Sequence, residues 1–489
     1  MNEITNVTEL TGRFAAQKKY FAGVPFPSYE QRIDDLQALK KLLLDNQQDF
    51  IDALAEDFGH RSPDDTKIGD LLTTVSGINY SIKRLKKWMK PQHKHVGILF
   101  QPGKAEVIYQ PKGVVGIITP WNYPLFLALG PLTTALAAGN VAMIKMSEFT
   151  RKTSTLLAKL LADIFSKEKV SIVNGDSKIA AYFSGLAFDH LFFTGSTPVG
   201  KLVMKAAAEN LVPVTLELGG KSPAIIDDAI DISTAVSRLI FGKTLNSGQT
   251  CVAPDYILCP KDKCEQLISE LKTRYRSMYA SVEGNDDCTY IIPSQRARLS
   301  HLLVDAQEKG ARIVSCLAPD SDTSANDNSH NRETSVGTQD LSIPAKIPLT
   351  LISNATDDML VMQQEIFGPI LPIIAYDDIN EAIAYINARP RPLALYIYSF
   401  NKSFQQRFLK YTHAGGVCIN DAAFHVANED LPFGGIGASG MGQYHGEEGF
   451  RTFSHGKSVL SRGRISFTPL LFPPFGTWVH KLVYRLFIR

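Results

Sequence analysis

Cysteines are scarce in this sequence and form no recognisable pattern. There are six in 489 residues, at positions 251, 259, 264, 288, 316 and 418, and only Cys259 and Cys264 are close neighbours. A disulfide framework needs tighter spacing, and a structural zinc site needs a second close pair. The sequence therefore predicts neither disulfides nor a metal site, and it favours a reducing cytoplasm.

An excess of charge of one sign is also absent. Lys and Arg total 51 and Asp and Glu total 49, so the formal net charge is only +2. Because the protein has no large excess of positive charge to bind phosphate backbones, nucleic acid is not expected as a partner. The N-terminus, MNEITNVTELTGRF, lacks the basic start and apolar run of a secretory signal peptide. We therefore expect a cytoplasmic protein.

What is present is enough chain for two or three domains. Apolar residues recur at helical spacing over residues 32–58 and 78–89, which predicts an opening helical layer. From Val107 short β-rich runs alternate with helical runs, and a second alternating stretch covers residues 232–418. Such alternation is typical of βαβ units and predicts an α/β fold with parallel sheets. The polar stretch 318–340 is expected to be a solvated loop.

The tail FTPLLFPPFGTWVHKLVYRLFIR is expected to end in an amphipathic helix from Thr477. Its apolar side would hold Trp478, Val479, Leu482, Val483 and Leu486, opposite Lys481, Arg485 and Arg489. In the preferred interpretation this helix covers a groove on its own or a partner subunit. In the alternative it lies on an anionic membrane surface. The run is too short and too charged to span a bilayer.

Cys251 is the candidate nucleophile. It lies in NSGQTCVAPD, where Ser247, Gly248 and Thr250 leave space around the thiol. A reactive thiolate needs such space with nearby dipoles or charge, whereas a structural thiol needs apolar neighbours. The alternative is that Cys251 is a structural cysteine, and the choice between the two roles depends on the other motifs.

Glu217 is the candidate general base. In TLELGGKSP it ends an apolar run that predicts a strand, and Gly219 and Gly220 follow it. Two glycines let another segment approach closely, which would desolvate the carboxylate and raise its pKa toward a value useful for a base. The alternative is a salt-bridged acid at the end of a strand.

Asn122 in TPWNYP follows the predicted strand VVGIIT and precedes an apolar helix. Pro120 and Pro124 bracket it and restrict the backbone, so that its amide could donate to a developing oxyanion. An ordinary turn asparagine is the alternative.

The G-x-G-x-x-G fingerprint of dinucleotide binding is missing. Instead, FTGSTPVG places Gly195 and Gly200 at a predicted turn from strand to helix, with Ser196 and Thr197 expected to cap the helix. A helix N-terminus of this kind can bind a pyrophosphate.

In VAMIKMSE, Lys145 and Glu148 leave the end of a neighbouring strand. An acid there suits ribose hydroxyls and repels a 2′-phosphate. A surface ion pair is the alternative interpretation.

Together these motifs resemble the aldehyde dehydrogenase superfamily over nearly the whole chain. PWNYP, FTGSTPVG, ELGGKSP, GQTC and EIFGP occur in the order and spacing of that family. Within its class 3-like branch, DFGHRS, RPRPLALYIYS, INDAAFHVANEDLPFGG and GMGQYHGEEGFRTFSH resemble the coniferyl aldehyde dehydrogenases.

The resemblance implies roles for individual residues. Cys251 would be the nucleophile, Glu217 the base, and Asn122 with the Cys251 backbone N–H the oxyanion hole, with no metal. NAD, with NADP as the alternative, would contact Trp121, Lys145, Glu148, Gly195, Ser196, Val199, Gly200, Glu365 and Phe367. Met146 stands where the family usually has proline, which leaves the ribose geometry and the cofactor preference open.

The resemblance also implies the domain organisation. A Rossmann-type NAD-binding domain would comprise residues 1–90 and 111–216, and a second α/β catalytic domain residues 217–420. A small β oligomerisation arm would comprise residues 91–110 and 421–465 and support a homodimer, before the tail of residues 466–489.

The expected reaction is oxidation of an aldehyde to its carboxylate through a thiohemiacetal and a thioester on Cys251. Coniferaldehyde or a related aromatic aldehyde is the expected substrate, and Phe424, His425 and Phe433 could line its pocket unless they are ordinary core aromatics. A medium- or long-chain aliphatic aldehyde is the alternative. From other classes, a cofactor-free cysteine esterase and a catalytically silent binding protein remain open. Glu217 favours hydrolysis over acyl transfer to coenzyme A.

Overall fold

The computed structural model describes residues 5–279, 287–318 and 344–488. The predicted loop 318–340 lies outside these ranges except for Ala318. The helices are α1 (Val7–Gly23), α2 (Tyr29–Asp45), α3 (Gln47–Phe58), α4 (Pro63–Thr66), α5 (Thr73–Trp88), α6 (Pro124–Ala138), α7 (Arg151–Ile164), α8 (Ser177–Ser184), α9 (Thr197–Ala208), α10 (Ile232–Thr244), α11 (Cys264–Met278), α12 (Pro293–Glu308), α13 (Leu360–Gln363), α14 (Ile379–Asn387), α15 (Lys402–Tyr411), α16 (Gly446–Thr452) and α17 (Trp478–Phe487). The strands are β1 (Gln92–Lys94), β2 (Gly103–Pro111), β3 (Val114–Ile118), β4 (Val141–Lys145), β5 (Val170–Val173), β6 (His190–Gly195), β7 (Val214–Leu218), β8 (Pro223–Ile226), β9 (Tyr256–Pro260), β10 (Arg312–Ser315), β11 (Thr350–Ser353), β12 (Ile370–Tyr376), β13 (Ala394–Tyr398), β14 (Gly416–Ile419), β15 (Gly440–Met441) and β16 (Ser454–Arg462).

The first sheet has the strand order β15-β7-β6-β3-β4-β5, and all its neighbours are parallel except β15. The order reverses direction between β3 and β6, and ligands of such sheets bind outside the carboxyl ends at this switch point. Ile118 at the end of β3 pairs with Lys145 of β4 and Phe193 of β6, so these carboxyl ends share one edge. The predicted parallel α/β sheet is confirmed.

The second sheet has the order β10-β11-β12-β9-β8-β13-β14, with only β10 antiparallel to its neighbour. The chain crosses from the first sheet to the second between β7 and β8, immediately after Glu217 and Leu218. Cys251 lies between α10 and β9 of this second unit. The two candidate catalytic residues therefore come from different sheets and meet where the sheets adjoin.

A third, antiparallel sheet consists of β1, β2 and β16. It corresponds to part of the expected arm, but β15, which also lies within residues 421–465, instead pairs with β7 at the edge of the first sheet. The early helices α2, α3 and α5 confirm the predicted helical layer, and α17 confirms the predicted tail helix. Across the described ranges no helix is long and apolar enough to cross a membrane.

Candidate active site

Cys251 follows a strained turn between α10 and β9. Asn246, Ser247 and Gly248 have φ angles of 50°, 52° and 72°, all in the left-handed region. This conformation costs a residue with a side chain about 1–2 kcal/mol, so surrounding contacts have to hold it. At Gly248 a side chain is excluded outright, because a Cβ would lie 2.5 Å from the carbonyl oxygen of Gly368.

Gln249 holds this turn in place. Its side-chain amide donates to the backbone oxygens of Asn246 and Tyr290, both at 3.0 Å, and its Oε1 accepts from the N–H of Ile292 at 3.0 Å. The Asn246 N–H donates to Asp65 Oδ2 at 3.1 Å. The small residues before Cys251 therefore build a fixed turn as well as leaving space around the thiol.

The Cys251 side chain is partly buried, and all six cysteines are free. Burial, followed by the nearby carboxylates of Glu365 and Glu217, raises the pKa of its thiol to about 12. The backbone N–H groups of Cys251 and Val252 act in the opposite direction but do not outweigh these effects. The groups of this chain therefore hold Cys251 as a neutral thiol at pH 7.

Glu217 is a buried acid at the end of β7. Only 3% of it is exposed, and neither carboxylate oxygen has a hydrogen-bond partner among the residues that the structure describes. Burial raises its pKa well above the ordinary value, because the charged form is poorly solvated. The predicted desolvation is confirmed, and the salt-bridged alternative is wrong.

The glycines after Glu217 admit a neighbouring segment, as expected. A Cβ on Gly219 would lie 2.1 Å from Glu365 Oε2. Burial, then Asp255, raises the pKa of Glu365 to about 8. Arg298 fixes this segment by donating to the backbone oxygens of Glu365 and Ile366 at 3.0 Å and 2.6 Å.

Asn122 is buried beside the Cys251 turn. Its Nδ2 donates to the backbone oxygen of Gln249 at 3.1 Å, which orients the amide and leaves its second N–H free to donate. Its backbone oxygen accepts from Arg61 Nη1 at 2.7 Å and from Asn246 Nδ2 at 3.1 Å. The sequence-predicted amide and thiol are thus brought to the same turn.

Arg61 is a positioning residue that the sequence analysis missed. Its guanidinium lies between the rings of Phe58 and Tyr123, 4.9 Å and 5.0 Å from their centroids, and pairs with Asp70 at 2.8 Å. Both charged side chains are fully buried. Asp70 Oδ1 also accepts the N–H groups of Leu125 and Phe126 in the first turn of α6. Arg61 lies in DFGHRS, which supports the resemblance, but the motif alone gave this arginine no role.

The residues expected to hold the adenosine ribose lie at the carboxyl end of β4. Lys145 Nζ and Glu148 Oε2 are 3.7 Å apart, and Lys145 Nζ donates to the Met146 backbone oxygen at 2.6 Å. The lysine is buried, which lowers its pKa, whereas the glutamate is about one-third exposed. The surface ion pair of the alternative interpretation therefore fits only in part, because Glu148 reaches solvent and Lys145 does not.

The start of α9 differs from the expectation. Ser196 occupies the N-cap position, but its side chain makes no capping hydrogen bond, and the Thr197 hydroxyl donates to Ala438 O at 2.9 Å instead. Gly195 ends β6 directly before this turn, Gly200 is buried within α9, and Val199 is 46% exposed. Because no side chain caps them, the first N–H groups of α9 are available to a pyrophosphate, so this turn fits a dinucleotide.

Two rings expected beside the nicotinamide lie together. The centroids of Trp121 and Phe367 are 5.4 Å apart, and Phe367 has a φ of 51°. With the half-buried Glu365 two residues before Phe367, these residues fit a nicotinamide riboside. No group of three or more potential metal ligands occurs in the part of the chain that the structure describes.

Of the three residues expected to line the substrate pocket, His425 and Phe433 lie close together and Phe424 lies apart from them. The rings of His425 and Phe433 are 6.4 Å apart, but Phe424 is 52% exposed and stacks on Phe241 at 5.8 Å. Phe424 lines a cavity of about 390 Å³ together with Tyr80, Asn428 and Glu429.

His445 is a second residue that the sequence analysis did not single out. It is 3% exposed, stacks on Phe433 at 5.2 Å, and neither ring nitrogen has a hydrogen-bond partner. Burial, then His425, lowers its pKa to about 3, so it is a neutral imidazole.

Comparison with known proteins bears on all of these features. A sequence model described as the aldehyde dehydrogenase family matches residues 12–459. A protein of Pseudomonas aeruginosa named "Probable coniferyl aldehyde dehydrogenase" is 50% identical over 99% of this chain and 97% of its own. The substrate-bound AldH of Staphylococcus aureus superposes with a TM-score of 0.88 at 36% identity, covering 99% of this chain and 100% of its own. An aldehyde dehydrogenase of Mycobacterium tuberculosis complexed with NAD+ superposes with a TM-score of 0.81 at 28% identity, covering 95% and 92%.

Proposed function

Because this chain belongs to the aldehyde dehydrogenase family and is an NAD(P)-dependent enzyme that oxidises an aldehyde to an acid, we propose that Cys251, Glu217 and Asn122 carry out this reaction. The observation that supports these roles most directly is their convergence. A thiol, an unpartnered acid and an oriented amide come from three separate parts of the sequence and surround one rigid turn.

In the first step the Cys251 sulfur forms a bond to the aldehyde carbon as its S–H bond breaks, and the proton passes to solvent water. The carbonyl oxygen becomes an alkoxide, which the free N–H of Asn122 and the Cys251 backbone N–H stabilise. NAD(P), when bound, supplies the acceptor for the hydride that the tetrahedral carbon releases. The acyl group is then a thioester on Cys251.

Glu217 acts in the second step. A thioester is stable enough in water to stall turnover, so a base has to activate the attacking water. Burial gives Glu217 a raised pKa and therefore the basicity that this proton transfer needs. The water attacks the thioester, the carboxylic acid leaves, and the Cys251 sulfur is released.

We propose that Lys145 and Glu148 bind the adenosine ribose of the cofactor and the start of α9 its pyrophosphate. Trp121, Glu365 and Phe367 would surround the nicotinamide riboside. In this proposal the first sheet and its helices bind the adenosine ribose and the pyrophosphate, whereas the second unit supplies the nucleophile together with Glu365 and Phe367.

We propose an aromatic aldehyde of the coniferaldehyde type as the substrate. The name of the Pseudomonas aeruginosa relative supports it, as do the aromatic and imidazole rings of Phe433, His425 and His445 near the site. Stacking of aromatic rings favours a planar conjugated aldehyde over a flexible alkyl chain.

The test is steady-state oxidation of coniferaldehyde and of a long-chain alkanal, each with NAD and with NADP, followed by absorbance of the reduced cofactor. We expect a higher kcat/KM for coniferaldehyde and no oxidation by the Cys251→Ala variant. A higher kcat/KM for the alkanal would overturn the substrate assignment. Ester hydrolysis without cofactor as the only activity would instead support the cysteine esterase.

We also propose a cytoplasmic homodimer. The six free thiols support the cytoplasmic location. The antiparallel sheet of β1, β2 and β16 supports the dimer, because Ile98 and Phe100 between β1 and β2 are exposed. Light scattering measures the mass directly, and a monomer would contradict this proposal.

A further inference from the structure

The segment that follows α16 has an unusual charge distribution. Residues 453–489 contain six lysines and arginines and no aspartate or glutamate. Since the whole chain has a net charge of only +2, the rest of the protein is net negative. The positive charge of the protein is thus concentrated in its C-terminal segment.

The same segment exposes large apolar side chains. Trp478 is 74% exposed, Phe475 69%, Ile465 64%, Phe467 58% and Phe472 56%. The other two tryptophans, Trp88 and Trp121, are buried or half-buried. Large exposed apolar side chains grouped in one segment mark a surface for contact with a partner or with a membrane.

Helix α17 shows which side faces outward. His480 is buried, with its ring 5.5 Å from that of Phe475 and its Nδ1 2.7 Å from the Thr477 hydroxyl. Val479 and Val483 are half-buried on the same side. Only part of the predicted apolar stripe is therefore buried.

The outward side of α17 combines apolar and basic residues. Tyr484 and Phe487 are exposed, and so are Trp478, Lys481, Leu482, Arg485 and Leu486, which recur at intervals of three, four, seven and eight residues. These spacings place them on one face of the helix. A lysine and an arginine thus alternate with a tryptophan and two leucines on a single exposed face. The prediction that Lys481 and Arg485 lie opposite the apolar residues of this helix is therefore wrong.

We propose that residues 463–488 dock on the surface of an anionic lipid bilayer. At such a surface the apolar side chains enter the boundary between headgroups and acyl chains, while lysine and arginine extend their charges to the phosphates. Tryptophan is favoured at this depth. The core of a protein interface, in contrast, is depleted of lysine, so the mixed face of α17 fits lipid better than a second copy of this chain.

Flotation of the full-length protein with vesicles tests this proposal. We expect binding to vesicles of phosphatidylcholine with phosphatidylserine, little binding to phosphatidylcholine alone, and release at high salt. A blue shift of tryptophan fluorescence should accompany binding, because Trp478 is the exposed tryptophan. Replacing Lys481 and Arg485 by glutamine should weaken binding about thirtyfold, from about 1 kcal/mol for each cation near the surface.

The matched control is the double variant Lys83→Gln and Lys87→Gln, which removes two exposed cations at the same spacing from α5. It should bind vesicles as the wild type does, and all variants should oxidise a soluble aldehyde at the wild-type rate. Equal binding to neutral vesicles, no binding at all, or equal binding by both double variants would overturn the proposal. So would a halved mass of the Trp478→Ser variant without lipid, since a second copy would then cover this face.

Discussion

Replacing Glu217 by glutamine is expected to stabilise the fold at high pH while stalling the enzyme after one turnover. The acid is 3% exposed and neither carboxylate oxygen has a hydrogen-bond partner. Glutamine has nearly the same shape and no charge. The substitution therefore removes the cost of ionising a buried acid together with the base that activates water.

The sign of the pH dependence follows from the direction of the pKa shift. Burial raises the pKa of Glu217 in the folded protein, so the folded state holds the proton more tightly than the unfolded state. The stability that this provides is present below the unfolded pKa of about 4.3 and is lost as pH rises toward the folded pKa. The loss is at most about 1.4 kcal/mol per pH unit. The variant lacks this loss, so its advantage grows with pH from about pH 5.

Two measurements check this prediction. Urea unfolding at a series of pH values gives the difference in free energy of unfolding between variant and wild type. Rapid mixing with NAD and aldehyde should show an NADH burst that survives, because Cys251 and Asn122 are intact. Steady-state turnover should fall about 10²- to 10⁴-fold, the usual contribution of a general base.

The control for turnover is Asp35→Asn. Burial also raises the pKa of Asp35, but this acid pairs with Lys169, which precedes β5 at the edge of the sheet opposite to Lys145. The Asp35→Asn variant should have the same kcat as the wild type. An unaltered steady state in Glu217→Gln, or a stability difference that does not vary with pH, would refute the reasoning.

Two further predictions concern the other members of the site. Asn122→Ala should lower kcat about 10²- to 10³-fold, the cost of losing one oxyanion donor, while titration calorimetry finds NAD affinity unchanged. A kcat within a factor of about two of wild type would remove Asn122 from the oxyanion hole. Because the pKa of the Cys251 thiol is raised to about 12, its alkylation by iodoacetamide should accelerate about tenfold per pH unit through pH 8–10. Mass spectrometry of the Cys251 peptide measures this rate, and a plateau below about pH 9 would contradict the raised pKa.

The sequence predicted those parts of the site that depend on local pattern. Alternating β-rich and helical runs are sufficient to indicate parallel sheets, and the two glycines after Glu217 indicate close approach of another segment. The burial of Glu217 follows from both, because a strand end covered by a second segment excludes water. These inferences need only neighbouring residues and general rules of sheet topology.

Other parts could not be predicted because they depend on contacts between distant residues. Arg61 lies 61 residues before Asn122, and nothing near either residue indicates that they touch. The expected cap on α9 was wrong for a related reason, since Thr197 donates to Ala438, a residue from the far end of the chain. In both cases a polar group forms its hydrogen bond with a residue far away in the sequence instead of with a plausible neighbour.

The electrostatics of Cys251 carry the most consequence for mechanism. Burial raises the pKa of the thiol most, and the negative charges of Glu365 and Glu217 raise it further. Lys221 and Arg298 lower the pKa of Glu365 but do not outweigh its burial, and Lys243, whose own pKa burial lowers to about 8, has no hydrogen-bond partner among the described residues. A thiol in such a field needs positive charge from outside the chain to become a nucleophile, and the oxidised nicotinamide ring is cationic. Burial, reinforced by these acids where they ionise, holds Cys251 as a neutral thiol, and alkylation with and without NAD measures how far the cofactor activates the nucleophile.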